Sequence, residues 1–170
     1  MSYLFTSESV SEGHPDKVCD QISDSILDLA LTQDPNSHMA IETFATTNLI
    51  VIGGETKTTA TLDVEKTIRN VLTDIGYTSD EIGISASECE IKNVIHTQSP
   101  DIAMGVEKGV GKFKEEGAGD QGLMFGYACK QTPEFMPLPI QLAHRLMLEL
   151  SKLRKSGILS YLRPDSKAQV

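Results

Sequence analysis

The segment from Pro15 to about Leu31 constrains the fold most, because Val18, Ile22, Ile26, Leu29 and Ala30 recur at spacings of three and four. That spacing lines one face of a helix with apolar side chains, and such a stripe must be buried against a partner surface. Pro15 suits the first helical position, and Asp16 falls in the first turn, where the helix dipole favours negative charge. The next residues supply the partner. Met39 to Thr46 alternates partly, Leu49-Ile50-Val51-Ile52 is a short apolar run ending at Gly53-Gly54, and Thr46-Thr47-Asn48 reads as the hairpin connection between them. Thr58 to Leu62 is a third β-prone stretch. Asp63 then caps a second helical repeat (Val64, Ile68, Val71, Leu72, Ile75), and Gly76 is placed to terminate it. Glu90 to Thr97 reads as another strand.

From Ser99 to Gly122 the periodicity disappears, and six glycines (105, 109, 111, 117, 119, 122) fall in that stretch. A long Gly-rich loop inside a compact chain is usually functional or disordered. Leu123 to Cys129 resumes as a strand. Pro139 opens a further amphipathic helix with Ile140, Ala143, Leu146, Met147, Leu150 and Leu153 on its buried side. Lys152, Arg154 and Lys155 occupy its last turn, and Gly157 follows as the C′ residue. This order of elements predicts an α+β fold, with a mixed or antiparallel sheet and helices packed on one face. The sequence given ends at Val170, after a polar turn and where a strand can begin.

Composition narrows the function classes. At 170 residues, 39% hydrophobic and 23% charged, the chain is of soluble globular type, with room for one domain or one small domain and part of another. No apolar run approaches the ~20 residues that span a bilayer, and the start lacks a signal peptide's basic flank, so the expectation is a cytoplasmic protein with no membrane partner. Cys19, Cys89 and Cys129 are odd in number and widely spaced, which fits reduced thiols better than disulfides or a zinc site. A net charge of −9 argues against nucleic acid as a partner. It is compatible with a nucleotide, because metal ions can mediate between carboxylates and phosphates.

Two segments have chemical potential. In Gly13-His14-Pro15-Asp16-Lys17 the glycine lets the backbone bend closely, and His14 and Asp16 then sit at a helix N-terminus, whose unpaired N–H groups and positive dipole end suit phosphate. His14 can donate to a phosphate oxygen, and Asp16 can hold Mg²⁺, which takes one or two carboxylates plus substrate phosphates. The same residues also read as a plain helix cap with an exposed histidine, and Asp20, Asp24 and Asp28 read as a solvated face. In Glu116-Gly117-Ala118-Gly119-Asp120-Gln121-Gly122, glycines present Asp120 on a narrow turn, where it can accept from an ammonium or a ribose hydroxyl. A tight turn explains those glycines equally well, and no Gly-Lys-Ser/Thr ending marks a P-loop. Glu42 inside a strand is either an edge residue or a cation ligand; Glu55 follows Gly53-Gly54, a place of close backbone approach. Arg163-Pro164-Asp165-Ser166-Lys167 is either a polyphosphate clamp or a surface turn. His38, His96 and His144 have no partner at metal-ligand spacing.

Phe5-Thr6-Ser7-Glu8-Ser9-Val10-Ser11-Glu12 followed by Gly13-His14-Pro15-Asp16-Lys17 resembles the amino-terminal signature of S-adenosylmethionine synthetases. Gly117-Ala118-Gly119-Asp120-Gln121-Gly122-Leu123-Met124-Phe125-Gly126-Tyr127 resembles that family's second signature. Gln98-Ser99-Pro100-Asp101-Ile102 and Leu162-Arg163-Pro164-Asp165-Ser166-Lys167 are similar to it too, in the right order. The resemblance implies that the methionine sulfur attacks C5′ of ATP and displaces the whole triphosphate, which is then hydrolysed to phosphate and pyrophosphate. It implies Mg²⁺ and K⁺ as cofactors, ATP and L-methionine as substrates, and a homodimer or dimer of dimers with sites between paired subunits. Carried over by position, His14 and Lys167 are catalytic, and His14, Asp165, Ser166 and Lys167 bind ATP. Glu55, Gln98 and Asp120 bind methionine, Asp16 binds Mg²⁺, and Glu42 binds K⁺. Some members have Ala in place of Ser166.

The resemblance further implies the first of three pseudo-threefold-related domains, plus part of the second. Residues 1–98 form the amino-terminal α+β domain, 99–116 a mobile Gly-rich gate, and 117–170 an incomplete middle domain. The expectation is therefore an incomplete fragment of an adenosyltransferase. Its rivals are a non-catalytic Mg-ATP-binding or interaction piece that needs a complementary chain, and a polyphosphate hydrolase.

Overall fold

The computed structural model describes residues 4–98 and 121–170. Along them run β1 (Glu8–Val10), α1 (Pro15–Gln33), β2 (His38–Thr46), β3 (Leu49–Lys57), α2 (Val64–Ile75), a short 3₁₀ turn (Asp80–Ile82), β4 (Glu90–Thr97), α3 (Leu138–Lys155) and β5 (Lys167–Gln169). Strands β2, β3 and β4 form one mixed sheet, antiparallel between β2 and β3 and parallel between β3 and β4. A second, two-stranded ribbon pairs β1 with β5 antiparallel, with Glu8 opposite Gln169 and Val10 opposite Lys167. The fold is α+β, as the alternation of elements predicts.

The apolar stripe of α1 meets its partner as expected. Val18, Ile22 and Ile26 join Ile50 and Ile52 of β3 and Val64, Ile68, Leu72 and Ile75 of α2 in one core. Each fully buried isoleucine there is stabilised by roughly 1.5–3 kcal/mol relative to exposure. Strand β2 alternates strictly between half-buried and exposed residues. The Thr43 hydroxyl hydrogen-bonds the Ser23 hydroxyl of α1 at 2.8 Å, so Thr43 faces the helix layer and Glu42 the opposite side. Asp63 caps α2 by accepting from the Lys66 N–H, and Gly76 closes it in the left-handed conformation. No helix among the described residues is long and apolar enough to cross a membrane.

Several expectations need correction. Strand β3 does not stop at Gly53-Gly54 but runs through both to Lys57. Gly54 has φ +122°, and a Cβ there would lie 1.9 Å from the Ala40 carbonyl oxygen, so the glycine lets the two strands stay paired. Thr58 to Leu62 forms no strand. Its backbone is held by side chains: Asp34 accepts from the Thr59 N–H at 2.9 Å, and Gln33 from the Thr61 N–H at 3.1 Å. Leu123 to Cys129 also forms no strand, and Leu123, Met124, Phe125 and Tyr127 are each at least 78% exposed. Apolar residues supply propensity, but a strand exists only where an edge pairs with it. On α3 only Ala143 and Met147 are buried; Leu146 and Leu153 of the expected stripe are exposed. Lys167, read as part of a turn, instead opens strand β5, which pairs with β1, a strand that the sequence reading does not include.

The ribbon is bolted to the start of α1 by one hydroxyl. Ser11, 3% exposed, donates from Oγ to the Pro164 carbonyl at 2.7 Å and accepts from the Ser166 N–H at 2.8 Å. Its own N–H donates to the Ser166 carbonyl at 2.9 Å. Replacing Ser11 with Ala leaves a buried carbonyl and a half-buried N–H without this partner, so urea denaturation should record a loss of about 1–3 kcal/mol; an unchanged midpoint contradicts the bolt. A second prediction concerns Asp34. Hydrogen bonds from the Thr59 and Asn36 N–H groups, and then from the Thr59 hydroxyl, hold its carboxyl below the ordinary range. A lowered folded value means stability that is present above the unfolded value and lost as pH falls through the folded one. The melting-temperature deficit of Asp34→Ala should therefore be largest at neutral pH and shrink in acid; a deficit constant with pH contradicts it.

Candidate functional site

The turn that opens α1 is shaped by its neighbours before any ligand is considered. Gly13 is buried, and a Cβ placed on it would lie 2.4 Å from the Pro164 carbonyl carbon, so the turns at residues 11–14 and 164–166 touch backbone to backbone. His14 is the N-cap of α1 in an extended conformation, and its Nδ1 accepts from the Asp16 N–H at 3.2 Å. The same Nδ1 lies 3.9 Å from an Asp16 carboxylate oxygen. That distance is too long for a hydrogen bond, and a nitrogen accepting from an N–H cannot itself be protonated, so the capping contact is the one that counts. Neutral His14 therefore carries its proton on Nε2, the nitrogen free of the cap.

Asp16 projects from the first turn with its side chain 87% exposed, available to an incoming cation. Asp165 and Ser166 are brought to the same place by the Ser11 bolt, and Lys167 follows at the start of β5. Lys167 Nζ sits 3.0 Å from a Glu8 carboxylate oxygen, with both side chains more than half exposed. An exposed pair of this kind is worth about 0–1 kcal/mol, so the ammonium can exchange Glu8 for a more highly charged anion. Gly13, Pro15 and Asp165 also border a cavity of about 350 Å³, with Val18, Tyr77 and Ile84 on its apolar side.

The other expected residues lie elsewhere. Glu42 is on β2 opposite Gly53, and Glu55 is on β3 opposite Ala40. Both therefore point from the sheet face turned away from α1. His96 Nε2 lies 3.4 Å from a Glu55 carboxylate oxygen on that face. Gln98, just past β4, donates its N–H to the Thr56 carbonyl at 2.9 Å. The turn that carries His14 and Asp16 thus lies against the turn at 164–166, Asp165 borders the same cavity as Gly13 and Pro15, and Lys167 is next in sequence, while Glu42 and Glu55 share the opposite face of the sheet. Asp120 and the expected gate at 99–116 lie outside the described residues. Among the described residues no group of three or more His, Cys, Asp or Glu could hold a metal ion by itself. Asp16 nonetheless fits Mg²⁺, a cation content with a single protein carboxylate when phosphates complete its shell. Glu42 presents one exposed carboxylate on the outer face of the sheet.

Sequence reasoning missed three contributors. Ser11 is the joint between the two turns, Tyr77 donates its hydroxyl to the Gly13 carbonyl, and Arg154 reaches a Glu12 carboxylate oxygen at 2.7 Å. Their partners lie 64 to 153 residues away along the chain, so no local pattern could reveal them. The cysteines are free, as expected; Cys89 is buried, and burial raises its thiol above the ordinary value. His144 is exposed on α3 and its Nδ1 lies 2.8 Å from the Ser9 hydroxyl.

Comparison with known proteins gives this geometry a family. Residues 2–100 match the family described as S-adenosylmethionine synthetase, N-terminal domain, and residues 115–170 match S-adenosylmethionine synthetase, central domain. A protein of Treponema denticola named S-adenosylmethionine synthase is 52% identical over 168 residues, covering 98% of this chain and 43% of the relative. One of the same name from Syntrophobacter fumaroxidans is 53% identical over 169 residues, covering 99% of this chain and 43% of the relative. The chain thus spans less than half the length of these relatives. Both family matches follow in order along it, and the chain belongs to the S-adenosylmethionine synthetase family.

Proposed function

We propose that the protein to which this chain contributes transfers the adenosyl group of ATP to the sulfur of L-methionine, and that residues 11–17 and 164–167 form its triphosphate end. The observation that supports this reading is the Ser11 bolt, which holds the turn just before Lys167 against the turn that carries His14 at the start of α1, in a chain of the S-adenosylmethionine synthetase family. The sulfur forms a bond to C5′ as the C5′–O bond to the triphosphate breaks, so the negative charge grows on the leaving oxygen. Sulfur needs no general base, and the barrier is lowered chiefly by alignment and by donors placed where charge develops. His14 presents an Nε2–H, the first turn of α1 presents backbone N–H groups, and Lys167 supplies a mobile positive charge. Asp16 and Glu42 would hold Mg²⁺ and K⁺, which when bound supply counter-charge to the polyphosphate. The same contacts serve the later hydrolysis of tripolyphosphate to phosphate and pyrophosphate.

Glu55 and Gln98, with Asp120 by resemblance, form the methionine end. Because Glu55 points away from the face that carries α1, one copy does not close the site with its described residues. A second copy meeting that sheet face supplies the missing half, which supports a homodimer, or a dimer of dimers, as the working form. The acidic balance of −9 fits small anionic substrates handled through cations better than nucleic acid.

The test grafts residues 1–170 in place of the matching segment of the Treponema denticola synthase and measures S-adenosylmethionine by mass spectrometry with ATP, methionine, Mg²⁺ and K⁺. The unaltered graft should form product, and His14→Ala or Lys167→Ala should lower kcat at least about a hundredfold, as loss of a transition-state donor does. Equal rates from the variants would sink the site assignment.

A further inference from the structure

We propose that Tyr77 and Arg154 are positioning residues for the turn that carries His14, acting from behind it through Gly13 and Glu12. The inference rests on the reading of that turn as the phosphate end. Tyr77 donates its hydroxyl to the Gly13 carbonyl, while the His14 N–H donates to the Ser11 carbonyl at 3.1 Å. These two groups belong to one planar peptide unit, so its carbonyl and N–H are pinned from different directions. That plane sets the direction in which the His14 side chain leaves the backbone.

The preceding residue is fixed as firmly. Arg154 of α3 donates from Nη2 to one Glu12 carboxylate oxygen at 2.7 Å and to the Ile75 carbonyl at 2.7 Å. Lys155 takes the other Glu12 oxygen at 2.7 Å, and Gln21 donates its side-chain amide to the Glu12 carbonyl at 2.8 Å. Gly76 makes room for this arrangement, since a Cβ there would lie 2.5 Å from an Arg154 guanidinium nitrogen. Arg154 is little exposed, which makes its contact with Glu12 a partly desolvated, charge-assisted one.

Tyr77 is well placed for a fixed role. It is 6% exposed, its N–H donates to the Leu72 carbonyl, and its carbonyl accepts from the Ala86 N–H. Burial first, and then the Asp165 carboxylate, push its hydroxyl above the ordinary value, so it remains a donor throughout the neutral range. The C-terminal end of α2 and the C-terminal turn of α3 thereby act on residues 12–13, leaving the outer side of the turn to the ligand.

Tyr77→Phe removes one oxygen and keeps the ring. Two readouts are taken on the 170-residue chain: affinity for Mg·tripolyphosphate by calorimetry, and the ring-nitrogen chemical shifts of His14 by NMR. In folded Tyr77→Phe the dissociation constant should rise about tenfold, and the His14 shifts should move away from a pure Nε2–H tautomer as the cap loosens. A purely structural tyrosine would lower the melting temperature and leave both readouts unchanged in the folded protein, and that result overturns the proposal. Arg154→Ala is the second variant, with the same expectation, and it decides the matter should Tyr77→Phe not fold. If the unaltered chain binds no tripolyphosphate, the reading of the site falls, while the His14 shifts still judge the two positioning residues.

Discussion

The Ser11 hydroxyl is the contact on which the arrangement of the chain depends. It donates to the Pro164 carbonyl and accepts from the Ser166 N–H, linking residues that are 153 and 155 positions apart. Through it the β1–β5 ribbon is joined to the helix start that it adjoins, and Gly13 is pressed against Pro164. A hydroxyl can do this because it is donor and acceptor at once, and burial makes the loss of either bond costly. Alanine fills the space but satisfies neither group.

Electrostatics is compatible with the proposed phosphate site on an acidic chain. Positive character is local: the N–H groups of α1's first turn, the Nε2–H of His14, and Lys167, which is tied to Glu8 only by an exposed pair. Behind the same turn, Arg154 and Lys155 neutralise Glu12. The carboxylates of Glu42 and Glu55 lie on the sheet face turned away from α1.

Much of the fold was legible because its signals are local. The stripe Val18–Ile22–Ile26 is buried as its spacing requires, Asp63 and Gly76 bound α2, and the β2 alternation sends Glu42 outward. What was not legible depends on partners far away in sequence. Leu123–Cys129 has strand-forming residues but no paired edge among the described residues, and Thr58–Leu62 is held instead by the Asp34 and Gln33 side chains. The site divides in the same way. His14 and Asp16 could be placed at a helix start from sequence, and resemblance to a family assigned their roles. Their junction with Asp165–Lys167, and the support from Tyr77 and Arg154, are tertiary facts with no periodic signature.

The central claim is that the turns at 11–17 and 164–167 make one anion site. An NMR titration of the ¹⁵N-labelled chain with Mg·tripolyphosphate tests it most directly. The account predicts amide shifts at His14–Lys17 and at Asp165–Lys167 that saturate together with a single affinity. Shifts confined to one turn, or to neither, would contradict it.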